Sequence, residues 1–357
     1  MREGVSPSDA APMTHSPATI DVSVIIPARN EEANLELCLQ SLAAQTALTF
    51  ELIVVDDHST DRTRAIAESF PRVRLIHAGP LPAAWSGKCN ACWTGAEVAK
   101  GKWLLFTDAD TKHASNSIEQ GLREAEEHGA ALLSYSPKQE VHGFWQRSLM
   151  PVIFAELAKT YRPQEVSDPA SPAAAANGQY LLIRRDAYDN VGGHAAVATA
   201  ILEDVELAKR VKCAGYKLQF RMSDAVSARM YRTFGQMWEG WTKNLALLFP
   251  HPLWLAARRS VEFLLILACV VGITVAMPDR DLLGLGINAV LLAIFLFFFF
   301  RRIRRAHFDW RSNLLAIFGL PLFAVLLLNS YISHKSGKVR WKGRVYGSDS
   351  APRAKRE

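Results

Sequence analysis

Short apolar, β-branched runs alternate with longer stretches of helical spacing through the first two thirds of the chain. VSVIIPA (Val22 to Ala28), FELIVVDD (Phe50 to Asp57) and VRLIHA (Val73 to Ala78) have the pattern of strands buried on both faces of a parallel sheet. Between them, NEEANLELCLQSLAAQ places Leu35, Leu39 and Leu42 at helical spacing behind an acidic first turn, and STDRTRAIAESF opens on a Ser-Thr-Asp cap. A Pro/Gly-rich loop around Pro80 to Gly87, a helix from Lys88 to Lys100 and the strand KWLLFTDAD extend the alternation. The pattern predicts an α/β domain with an open sheet.

The long apolar runs lie almost entirely after Arg259. Ser260 to Met277 and Leu282 to Phe300 are of near-spanning length, since about 20 residues cross a hydrocarbon core. They read as a hairpin whose MPDRD link faces outward while Arg258, Arg259 and the RRIRR cluster stay inside. Leu314 to Ile332 is a third run, interrupted by Gly319, Leu320 and Pro321. A third crossing puts the very basic tail outside, against the positive-inside rule. A re-entrant run, or deeper entry of NLALLFPHPLWLAARR, keeps it inside.

In an open sheet, ligands bind beyond the carboxyl ends of the strands, where Arg29, Asp57, Asp108 and Asp110 all fall. Asp108-Ala109-Asp110 sets two carboxylates just past a strand. Mg2+ or Mn2+ prefers oxygen ligands, often one or two carboxylates plus substrate phosphates. Glu203 and Asp204 open a helix that Gly215 ends. A hydroxyl acceptor is a poor nucleophile and needs a carboxylate base in reach, and Asp204 is the candidate.

The net charge of +6 is mild, but the basic residues cluster beside the apolar runs, from Arg301 to Arg311 and from Lys335 to Arg356. This favours anionic headgroups over nucleic acid as partners. Five cysteines, an odd number, point to reduced thiols, and the single Cys89-x-x-Cys92 pair lacks the further ligands of a zinc site. Met1 to Ile20, rich in Ser, Pro, Ala and Thr without a signal-length apolar run, reads as a disordered lead that leaves the catalytic part in the cytosol.

PARNEE, VVDDHSTD, the Gly87-Lys88 pair, TDAD, NGQYLLIRRDAY and LEDVELAKR together resemble, in order and spacing, family 2 glycosyltransferases with the GT-A fold, over Val22 to Trp241. The resemblance implies that Pro27, Ala28, Arg29 and Glu31 surround the nucleotide of a nucleotide-sugar donor, with Lys88 also on the donor side. It further implies that Asp57 holds the base, Asp108 the ribose or sugar, and Asp110 the metal. Asp204 is then the base of an inverting transfer, and Gly178, Gln179 and Glu203 line the acceptor side. The Gln-x-x-Arg-Trp motif of processive synthases is replaced by QMWEGWTKN (Gln236 to Asn244), which argues for a single transfer. Trp241 and Lys243 of that segment are assigned to the acceptor and diphosphate, with plain packing of the aromatics as the alternative.

PAAWSGKCNACWTG and the tail VRWKGRVY are similar to the hopene-associated and carotenoid-modifying branch. The expectation is a UDP-sugar donor and a lipid or lipid-linked acceptor at the cytoplasmic face of the inner membrane. Trp341, Lys342 and Arg344 either fold back on the donor or form a basic anchor. The domain plan is a lead (1–20), a GT-A domain (21–243), an interfacial helix (244–259), a membrane region (260–333) and a basic tail (334–357). A sugar nucleotidyltransferase is disfavoured because PARNEE has no glycine. A non-catalytic membrane-associated nucleotide-sugar-binding or scaffold protein is the alternative.

Overall fold

The chain begins with β1 (Val22–Ala28), α1 (Leu35–Ala43), β2 (Phe50–Asp56), α2 (Thr63–Glu68), β3 (Val73–His77), α3 (Gly87–Val98) and β4 (Trp103–Phe106). These elements belong to a computed structural model that describes residues 20–46 and 48–346; residues 1–19 of the expected lead and the last basic residues, Arg353 to Arg356, lie outside the described residues. There follow β5 (Thr111–His113), α4 (Ser117–Glu127), β6 (Leu132–Gln139), α5 (Gly143–Thr160), α6 (Pro163–Ser167), β7 (Leu181–Arg184), α7 (Arg185–Asn190), α8 (Glu203–Cys213), β8 (Leu218–Ala228) and α9 (Phe234–Leu248). Three long helices, α10 (Pro252–Ala276), α11 (Leu282–Ile303) and α12 (Trp310–Lys335), lead to β9 (Val339–Trp341) and β10 (Arg344–Tyr346).

Eight strands form one mixed sheet in the order β3-β2-β1-β4-β7-β6-β8-β5. β1 to β4 run parallel, as their continuous apolar character predicts, with Ile25 opposite Ile53 and Phe106. β7 enters antiparallel between β4 and β6, so the sheet is not wholly parallel. Helices cover both faces and bury two cores, one around Ile25, Val55 and Leu104, the other around Val24, Leu39 and Leu105.

The first helix starts later than its polar turn suggests. Asn30 takes a left-handed φ of 53° and its side chain accepts from Thr60 N, while Glu31 N donates to Thr63 Oγ1 and Glu32 N to Asp61. Those amides lock the first-strand loop to the β2–α2 loop instead of opening a helix.

A third core joins the sheet domain to the long helices. Leu149, Val152 and Ile153 of α5 and Trp241 of α9 pack with Ile266, Phe299, Leu320 and Leu327. The segment 244–259, expected as one interfacial helix, is divided between α9 and α10. Pro250 biases Phe249 to extended backbone (ψ 132°), and Pro252 restarts the helix at its first position. The expected interruption of the third apolar run does not occur, because α12 continues through Pro321 while packed against its neighbours. α10, α11 and α12 are each long and apolar enough to cross a membrane.

Candidate active site

Every residue singled out above for donor, metal or acceptor contact lines one cavity of about 340 Å³ at the carboxyl ends of β1, β2 and β4. Pro27, Ala28, Arg29 and Glu31 come from the β1 loop, and Arg29 Nη1 donates to Asp57 O at 2.7 Å. Asp57 ends β2. Asp108 and Asp110 follow β4, and Lys88 stands in the first turn of α3, whose cap Ser86 accepts from Cys89 N.

Lys88 Nζ lies 2.7 Å from Asp108 Oδ1 and 2.9 Å from Glu203 Oε1. Burial pulls its pKa down, but Asp108, Glu203 and Asp204 outweigh that and hold it well above the usual lysine value. Glu203 feels burial in the opposite sense, and Lys88 and Lys243 keep it below the ordinary glutamate value. This ammonium therefore ties the strand-end carboxylates to α8. Beside it, Asp204 accepts from Gly178 N at 2.9 Å and Val205 N at 2.8 Å, so two backbone amides fix its plane. Burial first, then the Glu203 charge, pushes Asp204 up to about 6.

Asp110 accepts from Gln179 Nε2 at 3.3 Å, and Gln139 Nε2 donates to Gln179 Oε1 at 3.2 Å. Burial, then the Asp108 and Glu31 charges, raises Asp110 to about 7. A carboxylate raised by its like-charged neighbours is a place where a cation is stabilising. Among the described residues no three His, Cys, Asp or Glu side chains are grouped to hold a metal unaided. Asp108 and Asp110 present oxygen donors, the kind a hard divalent ion takes from one or two carboxylates when phosphate and water complete its shell.

An apolar wall completes one side of the lining: Phe154 and Leu157 from α5, Tyr161 just past it, Phe220 and Met222 from β8, Trp241 and Leu248 from α9. Tyr161 OH donates to Leu248 O at 2.9 Å, and Trp241 meets Phe154 edge-on at 6.1 Å between ring centroids. Sequence pattern did not single out the α5 residues, because a helix buried nearly all round shows no apolar stripe.

The tail does fold back. Lys342 and Gly343 have φ of 46° and 75°, the two left-handed positions of a tight hairpin turn. That turn sends Lys342 Nζ to Arg29 O at 2.9 Å and to the Glu31 carboxylate, and Arg344 onto Asp57. Only a glycine leaves room for it, since a Cβ on Gly87 would stand 1.5 Å from Arg344 Nη1. Cys89 and Cys92 are free, buried thiols of α3, and burial raises Cys89 to about 12.

Residues 23–192 match the family described as Glycosyl transferase family 2. The matched residues form most of the mixed sheet, with the cavity at its strand ends. Among curated relatives, the 4,4'-diaponeurosporenoate glycosyltransferase of Staphylococcus haemolyticus is 34% identical over 64% of this chain and 62% of its own length. The chain thus spans less than two thirds of that relative. The protein of the same name from Staphylococcus aureus strain USA300 is 26% identical over 91% of this chain and 88% of its own. Among solved structures, the mannosyltransferase PcManGT from Pyrobaculum calidifontis, in complex with GDP-Man and Mn2+, covers 92% of this chain and 90% of its own at 17% identity and TM-score 0.48.

Proposed function

We propose that this protein moves one sugar from a nucleotide-sugar donor, with UDP as the nucleotide, onto a lipid or lipid-linked acceptor at the cytoplasmic face of the inner membrane, with inversion at the anomeric carbon. The observation that carries the reading is Asp204, an amide-held carboxylate with a pKa near 6, in a cavity shared by the strand-end acids and the apolar wall of α5 and α9. The curated relatives named for diaponeurosporenoate support an acceptor of carotenoid or similar lipid type.

In this reading Arg29, Glu31 and Asp57 seat the nucleotide and Asp108 the ribose or sugar. Asp110, with Asp108 beside it, would hold Mg2+ or Mn2+, which when bound neutralises charge on the departing diphosphate. Asp204 removes the acceptor hydroxyl proton as that oxygen forms its bond to the anomeric carbon. The bond from that carbon to the diphosphate breaks, and its electron pair leaves with the nucleotide. Lys88 and Lys243 supply positive charge on the leaving side, and Lys88 also keeps Glu203 ionised. Apolar walls exclude water, which limits hydrolysis of the donor.

The test is transfer by detergent-purified protein with a panel of nucleotide sugars and membrane lipid, with Mn2+ or Mg2+ and with chelator. A glycolipid product that disappears with chelator and in both Asp110→Asn and Asp204→Asn is the expected result. Unchanged transfer in Asp110→Asn, or in Asp204→Asn with a hydroxyl acceptor, would sink the assignment of that residue, and donor binding without any turnover would favour the scaffold alternative.

A further inference from the structure

The path of the chain past the catalytic domain fixes how many of its three long helices can cross a bilayer. α9 carries Trp241 and Lys243 into the cavity and runs, after a three-residue break, into α10. After α12 the hairpin places Lys342 and Arg344 in that same cavity. A chain that leaves one aqueous side and returns to it crosses an even number of times. At least one of the three helices therefore does not cross.

Burial says which one. In its most apolar window α11 is 6% buried and α10 22%, whereas α12 is 44% buried. α12 is also held to catalytic-domain helices along its length. Phe308, just ahead of it, meets Phe154 of α5 at 5.9 Å, and Gly319 sits so close to α5 that a Cβ would come 2.0 Å from Ser148 O. Near its end, Ser330 Oγ donates to Thr242 O at 2.7 Å, Asn329 Nδ2 to Thr242 Oγ1 at 2.9 Å, and His334 Nε2 pairs with Lys243 O at 2.7 Å. A spanning helix carries one end about 30 Å from the other side of the hydrocarbon. These contacts leave α12 no such far end.

The face turned away from the domain is a single apolar stripe: Leu314, Phe318, Val325, Leu328 and Ile332 are all exposed, at helical spacing. Trp310 and Arg311 flank it at one end and Lys335 at the other. The stripe continues onto the catalytic domain, where Phe318 meets exposed Phe144 at 5.9 Å and exposed Trp145 meets exposed Phe234 at 5.2 Å. An apolar stripe bounded by aromatic and basic residues is what a helix lying in the headgroup boundary presents to lipid.

We infer that α10 and α11 are the two crossings and that α12 lies on the near leaflet, a strut whose outer face, with Phe144, Trp145 and Phe234, contacts the bilayer. This rests on the membrane reading of α10 and α11. It gives the apolar cavity wall a fixed position beside the lipid from which an acceptor would come.

Single cysteines at Arg280, Trp310 and Ser336, in a Cys213→Ser background, test it with a membrane-impermeant maleimide on intact bacterial spheroplasts and on lysed membranes. Labelling of position 280 alone in intact spheroplasts, with 310 and 336 labelled only after lysis, is expected. Labelling of 336 before lysis would mean a third crossing and overturn the inference. Failure of 280 to label would instead remove the α10–α11 crossing on which it depends. As a second readout, bimane attached at Leu314→Cys, Val325→Cys or Ile332→Cys should be quenched to the same extent by shallowly brominated lipid. A profile deepest at 325 would be that of a spanning helix and would also overturn it.

Discussion

The guanidinium of Arg344 grips the carboxylate of Asp57 with two parallel contacts, Nη1 to Oδ2 at 2.5 Å and Nη2 to Oδ1 at 2.9 Å, across 287 positions of sequence. Asp57 is nearly closed to solvent, so this two-pronged pair lies where water screens it least. It joins the last hairpin to the loop proposed to seat the nucleotide.

Arg344→Ala should weaken donor binding at least tenfold in calorimetric titration with the nucleotide sugar. It removes a cation from a site rich in acids and leaves a buried carboxylate that, among the described residues, keeps only His58 Nδ1 at 3.3 Å, a loss of about 1–3 kcal/mol. Arg344→Lys should recover little, because an ammonium cannot reproduce the fork. Tighter binding by the alanine variant would show that Arg344 competes with the donor for Asp57.

Transfer to a hydroxyl acceptor should lose rate as pH falls through about 6. Burial and the Glu203 charge raise Asp204, against the opposing charge of Lys88 and two amide donors, so its base form is present above that pH and is lost below it. The acid limb of kcat/KM reads this directly. Asp204→Asn should abolish the limb and cost roughly 10²–10⁴ in rate. An acceptor attacking through a carboxylate has no proton to give up, and with such a lipid the asparagine variant should retain much of its rate.

Filling the apolar side of the cavity should separate the two substrates. Leu157→Trp places bulk among Phe154, Tyr161 and Trp241, away from the strand-end acids. Lipid transfer should fall at least tenfold, with nucleotide-sugar binding within twofold of the parent. Equal loss of both would mean that α5 walls the donor instead.

Glu156 of α5 sits between Arg259 of α10 and Arg302 of α11, which also share Glu262. The Arg259 and Arg302 Nε atoms face Glu156 at 3.4 and 3.2 Å without hydrogen-bond alignment, so that attraction is Coulombic. Glu156→Gln should cost roughly 3–5 kcal/mol by leaving buried arginines under-compensated. Glu68→Gln, in the exposed pair with Arg64, should leave stability nearly unchanged. Thermal melts in detergent compare the two.

Much of this arrangement was readable in the chain because apolar runs that end in acids announce both a buried strand and a ligand-facing edge. Asp57, Asp108 and Asp110 could be placed on one rim for that reason. What periodicity could not supply was long-range partnering. Nothing local to Arg344 names Asp57, and nothing local to Glu156 names Arg302. The late start of the first helix was hidden for the same reason, since the amides of Glu31 and Glu32 are claimed by Thr63 and Asp61 from another loop. α12 reads as a third span by composition, and only its neighbours reveal that one face is already occupied.

The proposed donor site is built from residues near 28 and residues near 344, with three long apolar helices between them. A chain emerging from the ribosome will have completed its sheet, its acids and Asp204 well before Arg344 has been synthesised. Synthesis order therefore sets when the cavity can close: the contacts of Lys342 and Arg344 form only once all three apolar helices have been made.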